Sequence, residues 1–384
     1  MTWEALSDIV HKVLFTQMGI THIGLGHLAM WTLGLFFIWL ATAKKIEPLL
    51  LIPIGFGIFI VNFPLTPLTG HVEDGPPGLL DIFYEYGLQW ELLPPIIFLG
   101  LGTLTDFGPL IANPKVLAIG AGAQLGVFVT FVGTLLFGFT LPQAAATGII
   151  GGADGPTTVY LTNALAPELL GPNAVAAYSY MALVPILQPP VMRLLTTEKE
   201  RRIRMQQPRE VSRKEKLLFP LIACGIVSLL IPAVAPLMSM LMLGNFMREA
   251  GVVRRLVDTA GGALMNTVTI FLGLAVGATM TAESFFGDSK PIVVLALGVL
   301  DFVLCTAGGI WTAKLINRIS PSNPLNPLIG SAGVSAVPMA ARVSHSEGLR
   351  YDPDNHMMFH AMGPNLAGVI GTAAAAGMFI AMFR

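Results

Sequence analysis

The chain has 384 residues, of which 54% are hydrophobic and 12% charged, with a net charge of −1. Soluble domains carry about 25% charged residues, and a mean hydropathy of +0.70 leaves too little charge to cover a water-facing surface, so most of the surface must face lipid. The near-neutral balance argues against a nucleic-acid partner.

The chain opens Met1-Thr2-Trp3-Glu4-Ala5, without a basic region or a small-residue cleavage site. No removable signal peptide is expected, and the first apolar run reads as an anchor over residues 1–45. A membrane helix needs about 20 apolar residues. Such runs fall at 24–43, 48–65, 82–105, 115–139, 143–165, 174–195, 217–240, 260–282, 290–312, 322–344 and 357–383. They predict an all-α polytopic membrane protein with about eleven transmembrane helices. Gly and Pro interrupt several of them, which lipid tolerates only where protein or a wet cavity satisfies the backbone. The segment 243–258, with Asn245, Arg248 and Glu249, is too short and polar to span and reads as an interfacial helix or loop. Cys224 and Cys305 lie in separate apolar runs and read as buried free thiols.

The largest hydrophilic loop, Thr196 to Lys216, holds Lys199, Arg201, Arg202, Arg204, Arg209, Arg213, Lys214 and Lys216. The positive-inside rule places its basic core, 198–216, in the cytoplasm. Counting outward, the N-terminus is cytoplasmic and the C-terminus external. Lys44, Lys45, Arg248, Arg254 and Arg255 then fall on the outer side, against the rule.

Ile150-Gly151-Gly152-Ala153 reads like Ile329-Gly330-Ser331-Ala332 at a shift of 179 residues, which also takes Ala182 to Ala361 and Pro185 to Pro364. The shift lays the spans beginning near 48, 82, 115, 143 and 174 over those near 217, 260, 290, 322 and 357. An odd number of spans per copy predicts two inverted five-helix repeats, 46–197 and 217–384, each containing a broken helix, 143–165 and 322–344. Such repeats build many transporters, with sites near the midplane where helices break.

In the first break, glycines precede Asp154 and Gly155-Pro156 follow it. Proline favours the first turn of a helix and an extended residue before it, so Asp154 is expected on unwound backbone. A carboxylate at that depth needs a cation or a partner. Two readings fit: a Na+ or H+ site, or a hinge whose aspartate caps a half-helix. In the second break Asn326 precedes Pro327, and Ser331 and Ser335 follow. Their oxygens suit a cation without adding charge; capping and close helix packing explain them equally.

Arg342 lies about two turns beyond Ser335 and either binds a carboxylate bidentately or snorkels to the interface. Tyr180, shortly before Pro185, either donates a proton or holds an anion, or packs with a satisfied hydroxyl. His360 reads as structural, and Asp106 and Asp301 rank below Asp154 because neither sits in a duplicated break. No phosphate-binding loop and no zinc-like Cys/His spacing occurs.

The strings Gly151-Gly152-Ala153-Asp154-Gly155-Pro156-Thr157 and Asn326-Pro327-Leu328-Ile329-Gly330-Ser331-Ala332-Gly333-Val334-Ser335-Ala336 closely resemble the beta subunit of the biotin-dependent sodium-translocating decarboxylases. Those enzymes act on oxaloacetate, methylmalonyl-CoA, glutaconyl-CoA and related substrates. The stretches from Ala177 to Pro190 and from Pro338 to Val343 are also similar. By that resemblance Asp154, Asn326, Ser335 and Gly330 fall on the family's cation site, and Tyr180 and Arg342 on its residues implicated in carboxybiotin handling. The resemblance implies decarboxylation of carboxybiotin, with Na+ export and proton consumption. It implies as partners a biotin carrier protein, a carboxyltransferase alpha subunit and a small membrane gamma or delta subunit, and a homotrimer as the assembly. Biotin itself would sit on the carrier. From the breaks alone, a plain secondary transporter, either a Na+/H+ antiporter or a Na+-coupled anion symporter, fits equally well.

Overall fold

The computed structural model describes residues 18–45, 47–70 and 77–384, and its regular elements are helical. Among the described residues five helices are long and apolar enough to cross a membrane, or up to seven if two sharply bent pairs each count as one span, against the eleven expected. The orientation expected for the N-terminus concerns residues 1–17, outside those described. The chain divides into two compact units, one of residues up to Trp90 with Thr269–Ser289, the other of Glu91–Val268 with Lys290–Arg384.

In the first unit, α1 (Leu25–Ala43) and α2 (Pro48–Val61) cross at Gly34 and Gly55, where a Cβ on either would come within 2.7 Å of the other's carbonyl oxygen. Small residues of this kind let membrane helices touch backbone to backbone. Asn62 closes the unit: Nδ2 donates to the carbonyls of Ile58 (2.8 Å) and Met280 (2.9 Å), and Oδ1 accepts from the Ala282 N–H (2.8 Å).

The second unit is built from α3 (Leu93–Leu104), α4 (Leu117–Ala123), α5 (Leu125–Leu135), α6 (Leu141–Gly148), α7 (Gly155–Leu165), α8 (Leu170–Leu195), α9 (Arg213–Leu230), α10 (Ala235–Ala250), α11 (Lys290–Ile319), α12 (Met339–Leu349) and α13 (Met358–Phe383). The basic loop after α8 marks one end, here the loop end. The expected span 217–240 is in fact divided between α9, a turn at Pro232–Val234, and α10 returning beside α9; α10 takes in residues 243–250 of the expected interfacial segment, which then turns at Gly251 (φ 72°) into a short helix, Arg254–Thr259. Pro232 lacks the donor that would continue the helix. Gly102 of α3 and Gly244 of α10 meet so closely that a Cβ on Gly102 would lie 2.0 Å from the Leu241 carbonyl oxygen. Arg248 thereby returns to the loop end, where it donates to the Thr105 carbonyl at 2.6 Å beside the Lys216–Asp106 ion pair (3.0 Å). This removes one of the basic residues that had counted against the positive-inside rule.

The two expected broken spans, 143–165 and 322–344, do not run straight through; each doubles back as a hairpin. In hairpin 1, α6 starts in a capping box of Thr140 and Gln143, tightens into a 3₁₀ turn over Ile149–Gly152, passes Ala153 at φ 52° and an extended Asp154, and returns as α7. Asn173 of α8 donates to the Ala146 carbonyl at 2.9 Å and to Thr162 Oγ1 at 3.1 Å, which fixes both arms at the same level. In hairpin 2, a 3₁₀ segment Pro327–Gly333 leads to a tip at Val334–Pro338 and α12 returns. The hydroxyls of Ser331 and Ser344, one on each arm, lie 2.7 Å apart. Hairpin 1 reverses through a left-handed Ala153 (φ 52°), Pro156 and Pro338 stand where the two returning helices begin, a position that suits a residue without an N–H, and the freed backbone is satisfied by buried protein groups, as an apolar surround demands.

Candidate functional site

The hairpins meet tip to tip. The Ser335 N–H donates to the Gly152 carbonyl at 2.7 Å, so the second tip closes on the peptide two residues before Asp154. Asp154 is 5% exposed. It caps α7 by accepting the Thr157 N–H at Oδ1 (3.1 Å), while its carbonyl accepts the Thr158 hydroxyl at 2.8 Å. No Lys, Arg or His among the described residues forms an ion pair with it. The capping interpretation is therefore present in the geometry, and it leaves the carboxylate charge unpaired.

Neutral oxygens gather on the second tip. Ser335 Oγ lies 2.8 Å from Thr372 Oγ1, which reaches Gln124 Oε1 at 3.3 Å. Asn365 of α13 donates through Nδ2 to the carbonyls of Ala332 (3.1 Å) and Val334 (2.7 Å), and its buried Oδ1 accepts no hydrogen bond among the described residues. Among the described residues no three His, Cys, Asp or Glu side chains gather in one place. One carboxylate with neutral oxygens is a hard donor set, suited to a small cation rather than a soft metal.

The motif glycines have a steric cause. A Cβ on Gly155 would lie 1.8 Å from the Tyr178 ring, on Gly152 2.7 Å from Thr372, and on Gly151 2.0 Å from Asp301 Oδ1. Three different helices thus press side chains onto the backbone of hairpin 1.

Of the residues expected at the site, Asp154 and Ser335 belong to the meeting tips. Asn326 does not join them: at the base of hairpin 2, Nδ2 donates to the Arg201 (2.8 Å) and Ile203 (3.0 Å) carbonyls, and Oδ1 caps Leu328. Gly330 faces α11, where a Cβ would fall 2.5 Å from the Gly309 carbonyl oxygen. Its glycine is explained by this close approach. Ser331 bonds within hairpin 2, to the Leu328 carbonyl at 2.8 Å. Tyr180 donates its hydroxyl to the Leu295 carbonyl and packs on Gly298 of α11. Arg342 is exposed, one turn past the second tip, its N–H on the Pro338 carbonyl at 3.1 Å. Asp106 and His360 line a cavity of about 560 Å³ at the loop end, with Arg209, Lys216 and His356. Burial disfavours the charge of Asp106, yet the Gly108 N–H, Lys216 and Arg248 together hold its carboxyl below the usual range.

Sequence reasoning did not single out Gln124, Tyr178, Asn365 and Thr372, which border the tips, and ranked below Asp154 the Asp301 that accepts the Gly151 N–H. The shift that paired Pro185 with Pro364 pointed next door to Asn365. No sequence signal marked Gln124 or Thr372, single polar residues in apolar runs.

The family model for the Na+-transporting oxaloacetate decarboxylase beta subunit matches residues 26–383. The chain is 52% identical to the methylmalonyl-CoA decarboxylase subunit beta of Veillonella parvula over 99% of both chains. It is 49% identical to the oxaloacetate decarboxylase beta chain 2 of Salmonella typhi, covering 96% of this chain and 98% of that one. It is 52% identical to the glutaconyl-CoA decarboxylase subunit beta of Acidaminococcus fermentans over 93% of each.

Proposed function

The chain belongs to the family of Na+-transporting oxaloacetate decarboxylase beta subunits, and from that premise we propose that the two meeting tips form the pocket where carboxybiotin decarboxylation is coupled to Na+ export. It is the membrane subunit of a Na+-translocating decarboxylase. The observation that carries the coupling is the Ser335 N–H on the Gly152 carbonyl beside the buried, unpaired Asp154.

Asp154 supplies the charge for Na+, and Ser335 Oγ, Thr372 Oγ1 and Asn365 Oδ1 supply neutral oxygens. Asn326 and Gly330 act from within hairpin 2, seating it on the basic loop and on α11 so that Ser335 reaches the first tip. Na+ and a proton compete for the single carboxylate, because only one positive charge balances it in a low-dielectric surround.

Loss of CO2 from carboxybiotin breaks the N–C bond and leaves its electron pair on the ureido nitrogen, which takes up one proton. A positioned donor serves that step. Tyr180 fills the role by releasing its hydroxyl from the Leu295 carbonyl. Arg342, exposed one turn past the second tip, holds the carboxylate. Moving one charge against 100 mV requires about 2.3 kcal/mol, which decarboxylation supplies.

Inverted repeats suit this arrangement. The run of α4–α5, hairpin 1 and α8 is matched by α11, hairpin 2 and α13, and the hairpins enter from opposite ends. The Lys115–Ser320 hydrogen bond (3.0 Å) at the loop end and the Arg384–Glu91 ion pair (3.3 Å) with the C-terminus support opposite directions for the two runs. Each hairpin then bars the pocket from one side of the membrane, and parting one or the other gives alternating access. The loop end faces the cytoplasm, where a biotin carrier loaded by a carboxyltransferase alpha subunit delivers its cargo. A small gamma or delta membrane subunit and a homotrimeric assembly complete the complex.

The test is ²²Na+ uptake into inverted vesicles holding the chain with its partner subunits. Uptake that needs the acyl substrate and stops with avidin is expected; uptake indifferent to avidin would overturn the coupling.

A further inference from the structure

We propose that Asp301 of α11 is a positioning residue for the Na+ pocket, fixing the 3₁₀ turn of hairpin 1 without touching the ion; this rests on the pocket described above. Three acidic side chains are buried among the described residues: Asp154, Glu347 and Asp301. Glu347 is paired with Arg193 (2.6 Å) and Arg350 (3.2 Å). Asp154 is at the tip. Asp301 is wholly buried, and no basic side chain among the described residues pairs with it. A lone carboxyl in an apolar span is retained for function rather than packing.

Its bonds show the function. Oδ2 accepts the Gly151 N–H at 2.8 Å, and Oδ1 accepts the Cys305 S–H at 3.5 Å. Next along the chain, the Gly152 carbonyl accepts the Ser335 N–H at 2.7 Å. The turn is therefore clamped on consecutive residues, by α11 on one side and by the opposing tip on the other. Asp154 follows that turn two residues later, so the clamp sets where the carboxylate points. Gly151 is the residue that lets the carboxyl in, since any Cβ there would overlap it. One turn earlier on the same helix, Gly298 receives the Tyr180 ring and Leu295 its hydroxyl. A single face of α11 thus holds both the proposed proton donor and the backbone of the cation tip.

The role asks for an acceptor oxygen, not for a charge. In the complete complex, Asp301→Asn keeps that oxygen, and half-saturating Na+ is expected within about twofold of the unsubstituted complex. Asp301→Leu removes it, and the Na+ requirement is expected to rise about tenfold or more, as for a lost hydrogen bond to a carboxylate, with KM for the carboxylated carrier unchanged. If the Leu variant does not assemble, Asp301→Ala serves the same arm, and Asp301→Asn alone decides against the proposal when it loses Na+ activation. Equal damage from Asn and Leu would assign Asp301 a charge-carrying role instead. Normal Na+ activation in both variants would remove any role. Asp154→Asn, run alongside, separates the layers: if it keeps Na+ activation the pocket itself fails, and if it alone is inactive only the positioning of Asp301 fails.

Discussion

The two hairpins have the same plan and different chemistry. Each begins with an arm that ends in a 3₁₀ turn, reverses at a small-residue tip, returns as a helix, and is touched near its tip by the helix that follows: Tyr178 of α8 lies on Gly155, and Asn365 of α13 bonds to Ala332 and Val334. Hairpin 1 carries the carboxylate. Hairpin 2 carries hydroxyls and is bordered by amides. A pocket made of one acidic and one neutral tip balances a single monovalent cation, whereas two acidic tips would repel and two neutral ones would leave the ion uncompensated. The two hairpins share a plan, and the residues at which they differ decide which of the tips carries a charge.

The largest effect expected from breaking this asymmetry is Asp154→Asn, which makes both tips neutral. Na+ uptake and carboxybiotin decarboxylation should both be lost, measured as ²²Na+ transport and CO2 release. Next is Glu347→Ala at the base of hairpin 2. Because Arg193 and Arg350 are themselves partly exposed, the loss is that of the charge-assisted hydrogen bonds, about 1.5–3 kcal/mol, read as a lower midpoint in thermal unfolding of the detergent-solubilised chain. Gly155→Ala should cost about 1–3 kcal/mol as an overpacked contact, because the new methyl would fall 1.8 Å from the Tyr178 ring; pairing it with Tyr178→Leu should restore part of the loss. Ser335→Ala removes one neutral oxygen and should raise half-saturating Na+ roughly five- to tenfold, the worth of about 1 kcal/mol, with decarboxylation intact at high Na+. The smallest effect lies at the head of α9. Arg209 and the Ser212 N–H and hydroxyl hold the Glu215 carboxyl down at about 2. Because this folded value lies below the ordinary one near 4.3, its stabilisation is present above that value and fades as pH falls toward 2. The protection of the α9 amides nearest Glu215 against hydrogen exchange, taken relative to their intrinsic rates, should fall over that window, and Glu215→Gln should abolish that fall.

The loop end shows what the sequence could and could not disclose. Its charges were legible. That the loop is strapped to hairpin 2 was not: Arg204 grips Asp352 at 2.6 Å across 148 positions, and Asn326 spends its amide on the loop backbone. The polar residue that marks each break therefore sits at the tip in one hairpin, Asp154, and at the base in the other, Asn326. Span counting failed where Pro232 splits one apolar run into two helices and where two runs double back. Hydropathy records only how apolar a stretch is, and a hairpin arm buried in protein is as apolar as a helix crossing lipid.

Composition alone determined that this chain lives in a membrane, and the glycine-proline strings around Asp154 and Asn326 marked both breaks, because local dihedral freedom and missing donors are properties of residues themselves. Only the tertiary structure decided that the breaks are hairpin tips facing each other, that Asp301 grips one of them, and that Asn365 and Thr372 stand at the other. Asp301 meets the first tip across 150 positions and Asn365 and Thr372 meet the second across 31 to 37, and nothing in a local pattern encodes which distant side chain will meet an exposed backbone group.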